Sequence, residues 1–352
     1  MQWYQQSCAK PSQKSREAAE QRQQQLTKPT GSLADLEQVA ISLAALQDTP
    51  RPQLDRPWIC IYAADHGVMA ENISAYPQVV TRQMLQNFMT GGACISVISR
   101  EYDAHLDVID CGTVGEPYHV DGVLQAQVCA GTANFAETQA MSEAQCLAAL
   151  EIGKHNVESA HAAKASIYIA GEMGIGNTCS ASALACLVLD LDAKVVTGVG
   201  TGLDQAQLQH KVTVIERALE RHRPSLADRG IGALCAVGGL EIAAMVGAYI
   251  RCAQLGLAIL VDGFISTAAA LLACQINPNV REWMLFGHQS AERGHVLLLE
   301  HLHANPLLKL NMRLGEGSGA GAALGLIRLA CRLHNEMATF AEAAVIGEKL
   351  QG

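Results

Sequence analysis

From Trp58 onward, short apolar runs alternate with stretches of ten or more residues that carry helical periodicity. That alternation predicts βα units building a mostly parallel sheet, an α/β sandwich. The predicted strands are 58–63, 105–109, 166–170, 194–196, 257–261 and 282–286. Between them, 142–164 and 204–221 read as amphipathic helices, the first opened by Ser142 and Gln145 in capping-box spacing. Before this region lies a polar, Gln-rich start ending near Gln25. A Thr30-Gly31-Ser32 turn then predicts a helix with Ser32 as N-cap and Asp35 in its first turn. The run 231–250 is apolar enough to suggest a membrane span, but Glu241 near its centre and its glycines predict a buried helix instead.

The junctions at the ends of the predicted strands carry more information than the strands themselves. In order the chain reads Ala64-Asp65-His66-Gly67, Asp110-Cys111-Gly112, Gly171-Glu172-Met173-Gly174-Ile175-Gly176-Asn177, Gly198-Val199-Gly200-Thr201-Gly202, Asp262-Gly263 and Gly287-His288-Gln289-Ser290. Turn formation alone explains one or two such junctions. A run of six points to a ligand edge, because open parallel sheets bind ligands outside the carboxyl ends of their strands.

Composition narrows the ligand. The 352 residues hold Lys+Arg 25 against Asp+Glu 34, a net charge of −9, which excludes a general polyanion binder. Any bound phosphate is therefore one local group. With 49% hydrophobic and 17% charged residues the chain is expected to be compact. None of the twelve cysteines stands in a C-x-x-C pair, and Cys60, Cys186, Cys235 and Cys274 sit in apolar runs, as small buried hydrophobes of a reducing compartment do. The first twenty-five residues lack a signal-peptide core, so a cytoplasmic protein without membrane or nucleic-acid partners is expected.

Three glycine-rich segments invite chemistry. Gly171 to Asn177 follows a strand and opens a helix whose free N–H groups suit a phosphate, although G-x-x-G-x-G is not the dinucleotide fingerprint. Gly198 to Gly202 precedes the helix that carries Lys211, a cation beside two glycine loops. In Leu314-Gly315-Glu316-Gly317-Ser318-Gly319-Ala320-Gly321 a glutamate is flanked by glycines, where it contributes little to packing and suits a general base. A catalytic metal is not expected, since neither H-x-x-x-H nor H-E-x-x-H occurs, and G-x-S-x-G is missing for a serine hydrolase.

Several of these segments occur together and in order: Lys28-Pro29-Thr30-Gly31-Ser32-Leu33, Ala64-Asp65-His66-Gly67-Val68, Gly171 through Thr178, Val261-Asp262-Gly263-Phe264, Ser290-Ala291-Glu292 and Met312-Arg313-Leu314-Gly315-Glu316-Gly317-Ser318-Gly319. The set resembles the nicotinate-nucleotide dimethylbenzimidazole phosphoribosyltransferases, the CobT family. The resemblance implies a Rossmann-like parallel sheet in a large domain, 51–319, and a small helical domain from 1–50 plus 320–352. It implies transfer of the ribosyl 5′-phosphate of nicotinate mononucleotide to a benzimidazole in cobalamin lower-ligand assembly, without metal or cofactor, by a homodimer. Carried over by position, Glu316 looks like the proton acceptor. Glu172, Gly174, Gly176, Asn177, Gly200, Gly202, Lys211, Asp262, Ser290, Arg313 and Gly315 look like the nucleotide and phosphate site. Asp65, Tyr76, Met84 and Leu314 are expected at the acceptor base, with Tyr76 and Met84 departing from the polar lining the resemblance implies, along with Cys179 for a usual threonine and Gly287 for a usual serine.

Two other readings use the same edge. A non-catalytic nucleotide sensor or carrier would gain nothing from a carboxylate among glycines. A dinucleotide oxidoreductase is disfavoured by the glycine spacing.

Overall fold

The computed structural model describes residues 2–346 other than 117, 199, 201 and 227. Seven strands form one sheet: β1 (Pro57–Ala64), β2 (His105–Gly112), β3 (Val123–Gln125), β4 (Ile167–Met173), β5 (Ile259–Val261), β6 (Met284–His288) and β7 (Pro306–Leu308). They lie in the order β3-β2-β1-β4-β5-β6-β7, every neighbouring pair parallel. The central strands read as unbroken apolar runs because helices cover the sheet, leaving Ile59, Ile61, Ile167 and Ile169 without solvent contact. Strand order reverses between β1 and β4, so a crevice opens at their carboxyl ends.

The predicted α/β architecture with a parallel sheet is the one observed. Five predicted strands are found, with shifted ends, and the Glu143–Ala162 helix carries the expected Ser142–Gln145 capping box. Three expectations are corrected. Residues 194–196 form a helical turn (Ala193–Val196), because the Asp192 carboxylate accepts the Lys194 N–H at 2.8 Å and starts a turn where β-branched residues suggested a strand. Ser32 is not an N-cap: the helix is Asp35–Leu46, and Glu37, paired with Lys28 at 2.8 Å, reaches back to accept the Leu33 N–H. The 231–250 run is two helices, Ile231–Val237 and Leu240–Leu255, parted at Gly238-Gly239. Glu241 thereby reaches the first turn of the second helix, where it meets His66. No helix of the described residues is long and apolar enough to cross a membrane.

The two ends of the described chain are joined to each other. The helices Gln13–Gln25 and Asp35–Leu46 pack together, and the second packs on Ser318–Glu336. Arg22 closes the end of that last helix: Nε donates to the His334 carbonyl at 2.7 Å and Nη2 to those of Asn335 and Met337. These carbonyls have no partner further along their own helix, so the guanidinium satisfies them, sharing that of Asn335 with Arg51 Nη1 at 3.0 Å. Replacing Arg22 with Ala is expected to lower unfolding free energy by about 2 kcal/mol, given the usual value of hydrogen bonds to a charged group. Urea denaturation checks this, and an unchanged midpoint contradicts it.

Candidate active site

An open cleft of about 700 Å³ lies at the carboxyl ends of β4, β5 and β6. Its floor is built by close backbone approach. Gly315, Glu316 and Gly317 have successive φ values of 86°, 62° and 73°, a left-handed run in which glutamate is the exception. The run packs on β4, where a Cβ on Gly171 would lie 2.7 Å from the Glu316 carbonyl carbon. A Cβ on Gly315 would strike the Glu172 carboxyl. The M-R-L-G-E-G-S-G segment therefore needs its glycines to hold one glutamate against the sheet.

Four acidic groups meet here, all raised by burial, Glu292 included, and each offset by different neighbours. Glu316 is 6% exposed, and its Oε2 has no protein partner. Burial, reinforced by the nearby Asp262 charge, pushes its pKa up to about 7, opposed by the Ile95 N–H at the start of the Cys94–Glu101 helix. Such a group can accept a proton near neutral pH. Glu172, at the end of β4, is raised well above the ordinary carboxylate range by burial and by the Asp262 and Glu241 charges, against the Asn177 amide and the Glu316 N–H that bond to it. The neutral acid is favoured there. Asp262 follows β5 and accepts the Ala320 N–H at 2.7 Å, so it caps the Ser318–Glu336 helix. Burial raises its pKa, while His288, with Nε2 3.6 Å away, and N–H groups of Ala320, Gly263 and Gly319 oppose the rise. Glu292 is also buried and faces Lys211 and Arg313.

The opposite pole gathers a helix N-terminus and a buried cation. The helix Asn177–Leu189 begins at Gly176, and its first-turn N–H groups lie beside Gly174 and Thr178, both lining the cleft. From the Gln205–His222 helix, Lys211 reaches in with Nζ 2.8 Å from Thr178 Oγ1. It is 2% exposed, and no carboxylate of the described residues lies within 4 Å of it. Burial lowers its pKa. Arg313 Nη1 donates to the Gly200 carbonyl at 3.2 Å.

Of the expected site residues, Glu316, Glu172, Gly174, Asn177, Gly200, Asp262, Ser290, Arg313, Leu314 and Gly315 line this one cleft. Lys211 stands at its wall, and Gly176 caps the helix behind it. Gly202 lies outside the lining, and Val199 and Thr201 of its loop lie outside the described residues. The residues expected at the acceptor base are dispersed. Asp65 is buried with both oxygens engaged, one by Thr81 Oγ1 at 2.7 Å and one by the Val114 N–H. Thr81 in turn accepts the Ile175 N–H, so Asp65 braces the 174–176 loop from behind. Tyr76 is 50% exposed, and Met84 lies partly buried in the Val79–Thr90 helix. Leu314 is 55% exposed at the rim.

Thr81, Ile95, Glu241 and Glu292 join the site without having been expected there. Glu292 stood in the quoted Ser290-Ala291-Glu292 segment, and Glu241 carried a signal as an acid inside an apolar run; it forms a fully buried pair with His66 Nε2 at 2.7 Å behind the same loop.

A family model described as Phosphoribosyltransferase (DBI_PRT) matches residues 8–345. The chain is 58% identical over 330 residues to the nicotinate-nucleotide--dimethylbenzimidazole phosphoribosyltransferase of Pseudomonas syringae pv. syringae (strain B728a), covering 94% of each chain. It is 53% identical over 345 residues to the enzyme of the same name from Pseudomonas aeruginosa (strain LESB58), covering 98% of each. The crystal structure of CobT from Thermus thermophilus superimposes with a TM-score of 0.90 at 43% identity, over 95% of this chain and 99% of that one. The chain belongs to this phosphoribosyltransferase family.

Because the raised Glu316 pKa means that ionisation is harder in the folded than in the unfolded chain, the linked stability is complete below about pH 4.5 and falls as pH rises through about 7. Glu316→Gln is therefore expected to stabilise the fold at pH 8, by at most about 3 kcal/mol. The gain should shrink as pH falls toward 4.5; thermal unfolding at both ends of that range reads it, and a destabilised variant at pH 8 contradicts it.

Proposed function

We propose that this enzyme transfers the ribosyl 5′-phosphate of nicotinate mononucleotide to 5,6-dimethylbenzimidazole or a related base, giving α-ribazole 5′-phosphate and nicotinate for cobalamin lower-ligand assembly. The family membership supports the reaction. The observation that carries the mechanism is a buried carboxyl with a pKa near 7 and an unpartnered oxygen, in the same cleft as an anion site.

The phosphate binds at the Gly174–Gly176 helix start, Thr178, Gly200 and Lys211, with Arg313 and Ser290 beside it. Asn177 and the buried Glu172 shape the wall next to it, and Asp262 supports the ribose side through the helix start it caps. Nicotinate leaves from a pyridinium: the electrons of the breaking glycosidic bond neutralise its nitrogen, so no general acid is needed. The benzimidazole N–H proton passes to a Glu316 oxygen as the other ring nitrogen bonds to the anomeric carbon. Attack on the face opposite nicotinate inverts β to α, and holding both rings in line supplies much of the rate. Glu316 then returns its proton to water. Leu314 at the rim, with Asp65 bracing the loop and Tyr76 and Met84 further out, borders the acceptor side.

The chain ends supply a small helical domain, 1–50 plus 320–352, against a large domain, 51–319; residues 1 and 347–352 lie outside the described residues. Support comes from Arg22 and the Leu26–Thr339 bridge, which tie the two ends together. The working form is a cytoplasmic homodimer. Val79, Val97 and Leu329 stand half-exposed on helices that pack in series, an apolar surface suited to a second copy. The reducing compartment is supported by cysteines that are free thiols and largely buried.

Incubation with nicotinate mononucleotide and dimethylbenzimidazole is expected to release nicotinate; binding without release would make the protein a sensor or carrier. Glu316→Gln is expected to bind the nucleotide normally and lose about 100-fold or more in kcat, and near-normal turnover would remove Glu316 as the base. Lys211→Ala is expected chiefly to raise the nucleotide KM, by about tenfold or more, and an unchanged KM would place the phosphate elsewhere.

A further inference from the structure

The transfer chemistry leaves unused one carboxylate that faces the anion site. Glu292 is buried, lines the cleft, and forms no ion pair within 4 Å among the described residues. Its partner is the loop that precedes the Lys211 helix. The Gly200 N–H donates to it, and a Cβ on Gly198 would fall on its Oε2, so the backbone of these two glycines lies close against the carboxylate. Gly200 also offers its carbonyl to Arg313, and its open side faces Thr178 Oγ1 and Lys211 Nζ. One loop residue is thus where the acid and both cations meet.

A buried acid in such a place has two consequences of opposite sign. Its charge balances the buried Lys211 cation and the exposed Arg313, and its carboxyl holds the backbone of Gly198 and Gly200 beside them. When a phosphomonoester arrives, the same negative charge opposes it across a short, poorly screened distance. We infer that Glu292 is a positioning residue and internal counter-ion of the phosphate site, fixing the backbone of Gly198 and Gly200 while holding phosphomonoester affinity low enough for the product nucleotide to leave. The inference rests on the reading of Lys211, Thr178 and Gly200 as the phosphate pole.

Glu292→Gln separates the two roles, because its amide oxygen still accepts the Gly200 N–H while the charge is gone. Calorimetric titration at fixed pH and ionic strength is expected to show inorganic phosphate and nicotinate mononucleotide binding about fivefold or more tighter to this variant. Steady-state kinetics should show KM and kcat falling together, as slowed product release requires. Glu292→Asp keeps the charge and should not tighten either ligand. Phosphate bound equally or more weakly by Glu292→Gln, or more tightly by Glu292→Asp, would overturn the inference and leave a structural role alone. If Glu292→Gln does not fold, Glu292→Asn is equally neutral and carries the same expectation for inorganic phosphate. Nicotinate release by the wild type without tightening in the variant defeats only this inference. Tightening without any nicotinate release defeats the catalytic reading and spares it.

Discussion

Everything in the cleft depends on a glutamate held in a backbone conformation that glutamate disfavours. Left-handed φ at a residue with a Cβ costs on the order of 1 kcal/mol, and here it sits between two glycines that share it. The strain persists because the surroundings leave no alternative: β4 presents Gly171 to the Glu316 backbone, and the Glu172 carboxyl fills the space a side chain at 315 would need. The carboxyl of Glu316 is thereby desolvated without being neutralised, since its one modest compensation is the Ile95 N–H. A solvated acid in a loose loop would be ionised near pH 4 and would be a poor base for an azole.

Around it, burial is managed differently for each acid, and the differences define the polarity of the site. Asp262 is satisfied by three backbone N–H groups and serves as the cap that fixes the helix start beside Glu316. Glu172 has little to offset its burial, which pushes its pKa well above the ordinary carboxylate range. Glu241 is paired with His66, and Asp65 is bound on both oxygens, so these two stiffen the 174–176 loop from behind. No direct ion pair closes Glu316 on one side or Lys211, which faces Glu292, on the other among the described residues.

The architecture was legible from periodicity because the central strands are buried on both faces and read as apolar runs between amphipathic helices. Short edge elements were not. β3 and β7, three residues each, carry no alternation long enough to register, and Ala193–Val196 looked like a strand because the deciding contact is the Asp192 cap. Glycine spacing located the cleft, since a tight backbone approach leaves a mark in sequence, as at Gly315 and Gly317. The acceptor side was less readable. Asp65 belongs to a recognisable motif, but which way its oxygens point depends on Thr81 and Val114, which are distant in sequence. Ile95 contributes only its backbone N–H, which leaves no trace in residue identity.

Isotope-edited infrared titration of the Glu316 carboxyl, with Glu316→Gln as the blank, reads the decisive quantity directly. A single carboxylate band is expected to appear with a midpoint near pH 7 and to be missing from the blank. A midpoint near 4.5, the value of an unburied glutamate, would mean that the strained loop does not tune this group, and the proton acceptor would have to be sought elsewhere.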